Sequence, residues 1–439
     1  MTMIREGNIL NYLSSGKILY KIIFVYAFIF ASLFSVSAQY KNPNYGSGQK
    51  IILSKSSVIS MITVYPGNQI YSLFGHSAFR VYDPETGIDQ MYNYGTFNFT
   101  DGFFVLKFIE GKLDYYLDID FFQRAYRYYS AIEKRKIYEQ VLDFDLEKRQ
   151  ALFDFLEKNG EPENRVYRYD FIWDNCSTRI AGAIDKTFPD LVDYSAYKGS
   201  EESFRKMIMP YLGENPFTNF GIQLVLGKDT DRIPKGHELF FLPSYMKQAF
   251  SAAVIKDNGN KIIPLVRKES MIASPERDFN KKPDYPLFIF LSVLVIYVAA
   301  LVLQYVGRNR AGKKCGVCKL PGVVSALCEG FVFLFTGMIG LLITYLWFFS
   351  EHVVTVSNFN YLWCTPLNFI LFAGIFLKKK SSCKKWLFVN ALSILMCAIY
   401  LVCIAFGAQY SLPAFFPSII ILIIAGIKNL TQRHQVTKI

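Results

Sequence analysis

Beyond Tyr285 the chain becomes a succession of apolar runs, 286–306, 323–349, 361–377, 386–407 and 412–427, and no other sequence feature constrains the fold as strongly. Backbone in hydrocarbon must satisfy its own hydrogen bonds, so runs close to or above about 17 residues read as membrane-spanning helices, here five of them. The connections set their direction. Residues 307–322 carry Arg308, Arg310, Lys313, Lys314 and Lys319, and residues 378–385 carry Lys378, Lys379, Lys380, Lys384 and Lys385. The tail adds Lys428, Arg433 and Lys438, whereas 350–360 and 408–411 contain neither Lys nor Arg. Positive-inside bias therefore places 307–322, 378–385 and the C-terminus in the cytoplasm. An odd number of spans leaves whatever precedes them outside.

A second apolar block, IIFVYAFIFASLFSV (22–36), follows Arg5, Lys17 and Lys21 and leads to Val36 and Ala38 ahead of Gln39. Small residues at those two positions mark an export-peptidase site, so residues 1–38 read as a signal peptide cleaved after Ala38, an uncleaved anchor being the alternative. Either way the next domain is exported. The net charge of +12 invites a nucleic-acid partner, but its distribution excludes one. Residues 39–285 hold 32 Lys and Arg against 33 Asp and Glu, and the three cytoplasmic segments hold thirteen basic residues and no acidic one. The excess is a topology signal.

The exported part, 39–274, mixes both periodicities. IILSKSSVISMITVY (51–65) reads as β structure, and 76–95 as a hairpin about the Asp83–Gly87 turn. LEKRQALFDFLEK (146–158) has helical spacing and stops at Asn159-Gly160. RVYRYDF (165–171) predicts a strand, and 174–188 a helix capped by Asp174 or Asn175. A late hairpin is expected at 254–266, and 275–285 is a polar linker. The fold class is α+β followed by an all-α membrane bundle, 286–439.

Of eight cysteines only Cys176 lies in the exported part. Outside the cytoplasm cysteines usually come in disulfide-forming sets, so a lone one is an inert buried side chain or a working thiol. A disulfide to Cys364 is a lesser alternative. In the first turn of a helix the sulfur would meet free backbone N–H groups and the positive end of the dipole, with Arg179 adding charge on the same face. A thiol nucleophile needs a base, and the histidines are His76, His237, His352 and His434. His434 falls in the cytoplasmic tail. His76, starting a strand after Gly75, ranks first, because a strand-borne His facing a helix-borne Cys is the papain-like layout. A purely structural His76 stays open. Asn93, on the return strand, is the candidate to orient the imidazole, provided the register keeps it on the same face.

No histidine pair spaced for zinc occurs in the exported part, and CGVC (315–318) is an isolated pair, so neither a metal nor another cofactor is expected. The aromatic clusters FNFTDGFFVLKF (97–108) and DYYLDIDFF (114–122) read mainly as core, with some residues available for a lipid-facing mouth.

With these residues in hand, YSLFGHSAFRVYDPETGIDQMYNYGTFNF (71–99), GKLDYYL (111–117) and PENRVYRYDFIWDNCSTR (162–179) resemble the signature blocks of the Lnb-type lipoprotein N-acyltransferases of diderm bacteria. In the membrane part HVVTVSNFNYLWCTPLN (352–368) is the most recognisable stretch. The resemblance implies a permuted papain-like domain, similar to NlpC/P60 and lecithin:retinol acyltransferase domains, in the periplasm ahead of an inner-membrane region. It implies Cys176 and His76 as the catalytic pair, and puts forward Tyr71, Asn175, Arg179 and His352 for substrate contact. The implied partners are a membrane phospholipid as acyl donor and a diacylated lipoprotein as acceptor. A membrane-anchored cysteine peptidase or amidase acting on the cell wall, and a non-enzymatic binding or signalling module, remain as readings from other classes.

Overall fold

The computed structural model describes residues 50–97, 104–256, 262–275, 280–311, 319–376 and 384–436. The N-terminal apolar block, CGVC and most of the basic connection 378–385 lie outside them.

A seven-stranded antiparallel sheet forms the frame of the exported domain. Its strands are β1 (Val58–Val64), β2 (His76–Asp83), β3 (Ile88–Thr96), β4 (Asp114–Phe121), β5 (Ile137–Leu142), β6 (Val166–Arg168) and β7 (Val266–Ala273), in the order β7-β5-β1-β2-β3-β4-β6. β1 sits near the centre with almost every residue buried, as a strand covered on both faces should be. It is shorter than the expected 51–65. Residues 51–57 run as a loop tied down where Asp83 accepts hydrogen bonds from the Ser54 amide (2.7 Å) and hydroxyl (2.6 Å). The hairpin of β2 and β3 turns at Gly87, whose φ of +74° suits glycine.

Helix α1 (Leu146–Gly160) starts where Asp145 accepts from the Lys148 amide at 2.8 Å. It packs with α2 (Cys176–Thr187) on one face of the sheet. On the other face Ile62, Val64, Ala78, Met91 and Ile137 meet Phe122 and Ala125 of a short helix after β4. The late hairpin at 254–266 becomes two short strands, Val254–Lys256 and Ile262–Pro264, in a separate three-stranded sheet.

Helix α3 (Pro216–Val225) belongs to the exported domain and packs against the membrane part. That part comprises α4 (Tyr285–Ala311), α5 (Lys319–Phe348), α6 (Asn368–Phe376), α7 (Lys384–Ala405) and α8 (Phe416–Val436). Four of these helices, all but α6, contain segments long and apolar enough to cross a bilayer. The expected run 361–377 differs. Its described part opens as a 3-10 turn over Phe359–Leu362, and nine of the described residues form α6, about 13 Å at 1.5 Å per residue. The buried Asn360 holds that turn in place, and Pro366 cannot sit inside a helix without losing a bond.

Two contacts lock the exported domain onto the bundle. Phe220 of α3 stacks on Phe290 (5.5 Å) and meets Phe415 edge-on (5.2 Å), inside the cluster that contains Trp363 and Tyr400. The last carbonyls of α3, which a helix leaves unpaired, are taken by side chains. Asn358 Nδ2 donates to Leu224 O (2.8 Å) and Asn360 Nδ2 to Leu224 O (3.0 Å). The fully buried Arg205 donates to Gln223 O, Leu226 O and Gly227 O while its fork grips Asp231 at 2.7 and 3.0 Å. The Gly227 amide donates to Val354 O (2.8 Å), and a Cβ on Gly227 would stand 1.8 Å from Val356 O. Replacing Asn358 by Ala leaves the buried Asn360 amide and Gln409 Nε2 without the oxygen that accepts from them, at a cost of about 1–3 kcal/mol. Asn358→Ala and Gly227→Ala should each lower the thermal unfolding midpoint in detergent, whereas Lys256→Ala, on the exposed surface, should not.

Candidate active site

The loop before α2 is built to present residue 176. Asp170 Oδ1 accepts from the amides of Ile172 and Trp173, both at 2.8 Å, and the backbones of Asp170 and Asp174 exchange hydrogen bonds. Asn175 then caps the helix. Its Oδ1 accepts from Ser177 N (2.8 Å) and Thr178 N (3.1 Å), and Thr178 Oγ1 accepts from Asn175 N (2.8 Å). Its Nδ2 donates to Phe171 O (2.6 Å) and Phe241 O (2.8 Å). Two donors and two acceptor sites are thereby filled. Asn175, expected at the substrate, is buried and fully engaged in holding the helix start.

His76 and Ser77 begin β2 and point to opposite faces. Ser77 Oγ meets Ser177 Oγ at 3.1 Å, which ties β2 to the first turn of α2. His76 Nε2 meets Asn93 Oδ1 at 3.2 Å. The pairing Phe79↔Tyr92 sets His76 and Asn93 on one face, so the register required by the sequence reading is the one formed. Because an amide oxygen only accepts, this contact puts the imidazole proton on Nε2 and leaves the Nδ1 lone pair free. Gly75 is needed here: at φ +90°, a Cβ would stand 2.9 Å from Val64 O.

Continuing the β2–β3 register sets Gly95 across from His76, and Gly95 also has φ +90°. A Cβ added there would lie 3.6 Å from Cys176 Cβ and 3.8 Å from Tyr167 Oη. The thiol thus stands at the end of the β2–β3 pair, half-buried. Burial pushes its pKa up, against the opposing influence of Ser77, Ser177 and Arg135 nearby. Burial first, and then the charge of Arg135, lower His76 to about 4. At neutral pH the pair is a neutral thiol and a neutral imidazole, not an ion pair.

The cation that bears on this pair is Arg135, which the sequence hides inside the ordinary-looking run Lys134-Arg135-Lys136. It is buried, donating Nε to Tyr65 O (2.6 Å) and Nη1 to Glu133 (2.7 Å). Its burial follows from Lys134, whose φ of +51° turns the chain back just before β5. Tyr71, half-exposed, donates to the same Glu133 at 2.9 Å and stands at the rim. Tyr129 lies with its ring 5.9 Å from that of His76. Arg179 does not serve the thiol as expected. It forks onto Asp174 at 2.6 and 2.7 Å, which offsets its charge, and its guanidinium lies 3.5 Å from the centre of the Tyr167 ring.

His237 is removed from the chemistry. It pairs with Asp185 at 3.3 Å, nine residues along α2 from Cys176 and so about 13 Å away. His352 packs against Gly111, beside Glu351, whose amide bonds Glu110 O at 2.8 Å and whose carboxylate faces Arg168 at 3.6 Å. Cys176 and Cys364 are both free, and Cys364 is sealed in the membrane cluster, which removes the disulfide alternative.

Residues 49–201 match the family model described as the Lnb N-terminal periplasmic domain, and residues 278–436 match the Lnb transmembrane domain. Nothing matches among curated proteins or solved structures.

Two outcomes follow from this geometry. Asn175→Ala removes the cap and two bonds to loop carbonyls, so it should cost about 2 kcal/mol or more and lower the unfolding midpoint. Because the His76 pKa is lowered, the imidazole stays deprotonated down to about pH 4. Any reaction of Cys176 that uses His76 as its base should therefore hold its rate level from pH 7 to pH 5 and slow only below. An acid limb near the ordinary histidine value of about 6.5 would show that water solvates His76 in the working enzyme.

Proposed function

The chain belongs to the Lnb family, with its periplasmic and its transmembrane domain both present, and on that premise we propose that it is a lipoprotein N-acyltransferase. The observation that carries the reading is a half-buried cysteine at a capped helix start, at the end of the β2–β3 pair where a Cβ on Gly95, across from His76, would lie 3.6 Å from Cys176 Cβ, in a domain clamped onto a membrane bundle. In the proposed reaction His76 Nδ1 takes the Cys176 proton as Sγ attacks an ester carbonyl of a phospholipid. The C–S bond forms, the C–O bond breaks, and the departing lysophospholipid oxygen takes the proton from His76. The neutral α-amino group of a diacylglyceryl-cysteine then attacks the thioester. It gives a proton to His76, the C–N bond forms and the C–S bond breaks, and the proton returns to sulfur.

A neutral cysteine–histidine pair suits this sequence. Proton transfer accompanies attack, and the same imidazole alternates as base and acid without a standing charge beside lipid. Asn93 keeps the tautomer, and Arg135 with burial keeps the imidazole unprotonated between steps. The clamp makes physical sense for two lipid-anchored substrates, since confinement to one plane raises their encounter. Tyr71 and His352 belong to the same proposal as substrate contacts at the rim and at the membrane-side loop. The papain-like permutation, the five-span topology with a cytoplasmic C-terminus and the removal of residues 1–38 belong to it as well. The basic connections support that orientation.

Incubating the purified full-length protein with phospholipid should leave a hydroxylamine-labile acyl adduct on Cys176, read by mass spectrometry. Cys176→Ala should carry none, and His76→Ala should form it at least 100-fold more slowly. No adduct on a thiol that still alkylates, with cleavage of cell-wall peptides instead, would overturn the acyltransferase reading.

A further inference from the structure

Thioester chemistry passes through a tetrahedral centre whose oxygen carries negative charge, and that oxygen needs preorganised donors. The helix start supplies fewer than its position suggests. Of the first three amides of α2, those of Ser177 and Thr178 are held by Asn175 Oδ1, which leaves the amide of Cys176 itself. A second donor must come from elsewhere.

Tyr167 fits that place. It is more than nine-tenths buried, and its hydroxyl is among the few buried side-chain polar atoms of the described residues with no hydrogen-bond partner. An unpaired buried hydroxyl costs stability, so its position calls for a reason. The reason is visible beside Gly95. Among the described residues outside its chain neighbours, a Cβ there would find two atoms within 4 Å, Cys176 Cβ and Tyr167 Oη. The missing side chain leaves a space bounded on one side by the nucleophile and on the other by the orphan hydroxyl. After burial itself, the thiol is the group that weighs most on the Tyr167 phenol. Arg179, stacked 3.5 Å from the ring centre and anchored by Asp174, holds the ring and draws charge from it, which strengthens the hydroxyl as a donor.

We propose that Tyr167 is an oxyanion donor of the Cys176 reaction, with Arg179 as its positioning residue and the Gly95 gap as the seat of the substrate carbonyl oxygen. As Sγ bonds to the carbonyl carbon, the C=O pair moves onto that oxygen. Tyr167 Oη–H donates to it without giving up its proton, and collapse re-forms the C=O bond as the leaving oxygen takes its proton from His76. The inference rests on the acyl-transfer reading.

The test uses the full-length protein in detergent with p-nitrophenyl octanoate, whose nitrophenolate burst reports acylation of Cys176, and iodoacetamide, whose displacement at sulfur develops no oxyanion. Tyr167→Phe should slow the burst about 100-fold. It should leave the alkylation rate within about twofold, and the unfolding midpoint equal or higher, because the lost hydroxyl had no partner in the fold. An unchanged burst would overturn the assignment. So would alkylation falling in parallel, since the ring would then be setting the thiol and not the oxyanion. A wild-type protein that gives no burst would remove the acyl-transfer reading and this inference together.

Discussion

The end of one helix carries the connection between the two halves of this protein. The carbonyls at the end of α3 and just beyond it are paired by Arg205 from the exported domain, at Gln223, Leu226 and Gly227, and by Asn358 and Asn360 from the membrane-side loop, at Leu224. Each half therefore completes the other's hydrogen bonding. Gln409 and Tyr400 extend the network into the bundle by donating to Asn358 and Asn360. A hinge or a flexible tether would leave these groups unsatisfied, so the exported domain is held in one place on the bundle.

From that fixed placement the reactive corner is assembled by short-range rules. A saturated asparagine cap sets where α2 begins, the Ser77–Ser177 contact sets its height on the sheet, and strand register sets His76 and Asn93 on one face. Two glycines with φ of +90°, Gly75 and Gly95, clear the approach on either side. Together these devices determine where a thiol, an imidazole and an orphan hydroxyl stand relative to one another.

The electrostatics of the corner follow from burial more than from charge. Cys176 and His76 are both held neutral, the cysteine because its thiolate is poorly solvated, the histidine because its imidazolium is. Arg135 adds to the second effect and opposes the first. A helix dipole and a cation three residues along the helix would have suggested a standing thiolate, but the amides at that helix end are already in use and Arg179 is neutralised by Asp174.

Much of this was legible in the residues. The apolar runs after Tyr285, the α+β alternation, the hairpin at 76–95 and the helix start at Cys176 all rest on local spacing, cap and turn chemistry, which a sequence carries in order. The choice of Cys176 and His76 as candidates rests only on how few thiols and imidazoles the exported part contains. What the sequence could not decide was long-range. The 3-10 turn that interrupts the apolar run before residue 368 follows from Asn360 docking on α3, the importance of Arg135 from its burial, and the Tyr167–Gly95 gap from residues 72 positions apart. Composition and periodicity alone determined what this chain can become: an exported α+β domain ahead of a membrane bundle. Only the tertiary structure decided which polar groups are left without water and without partners, because burial belongs to the packed molecule and to no single stretch of it.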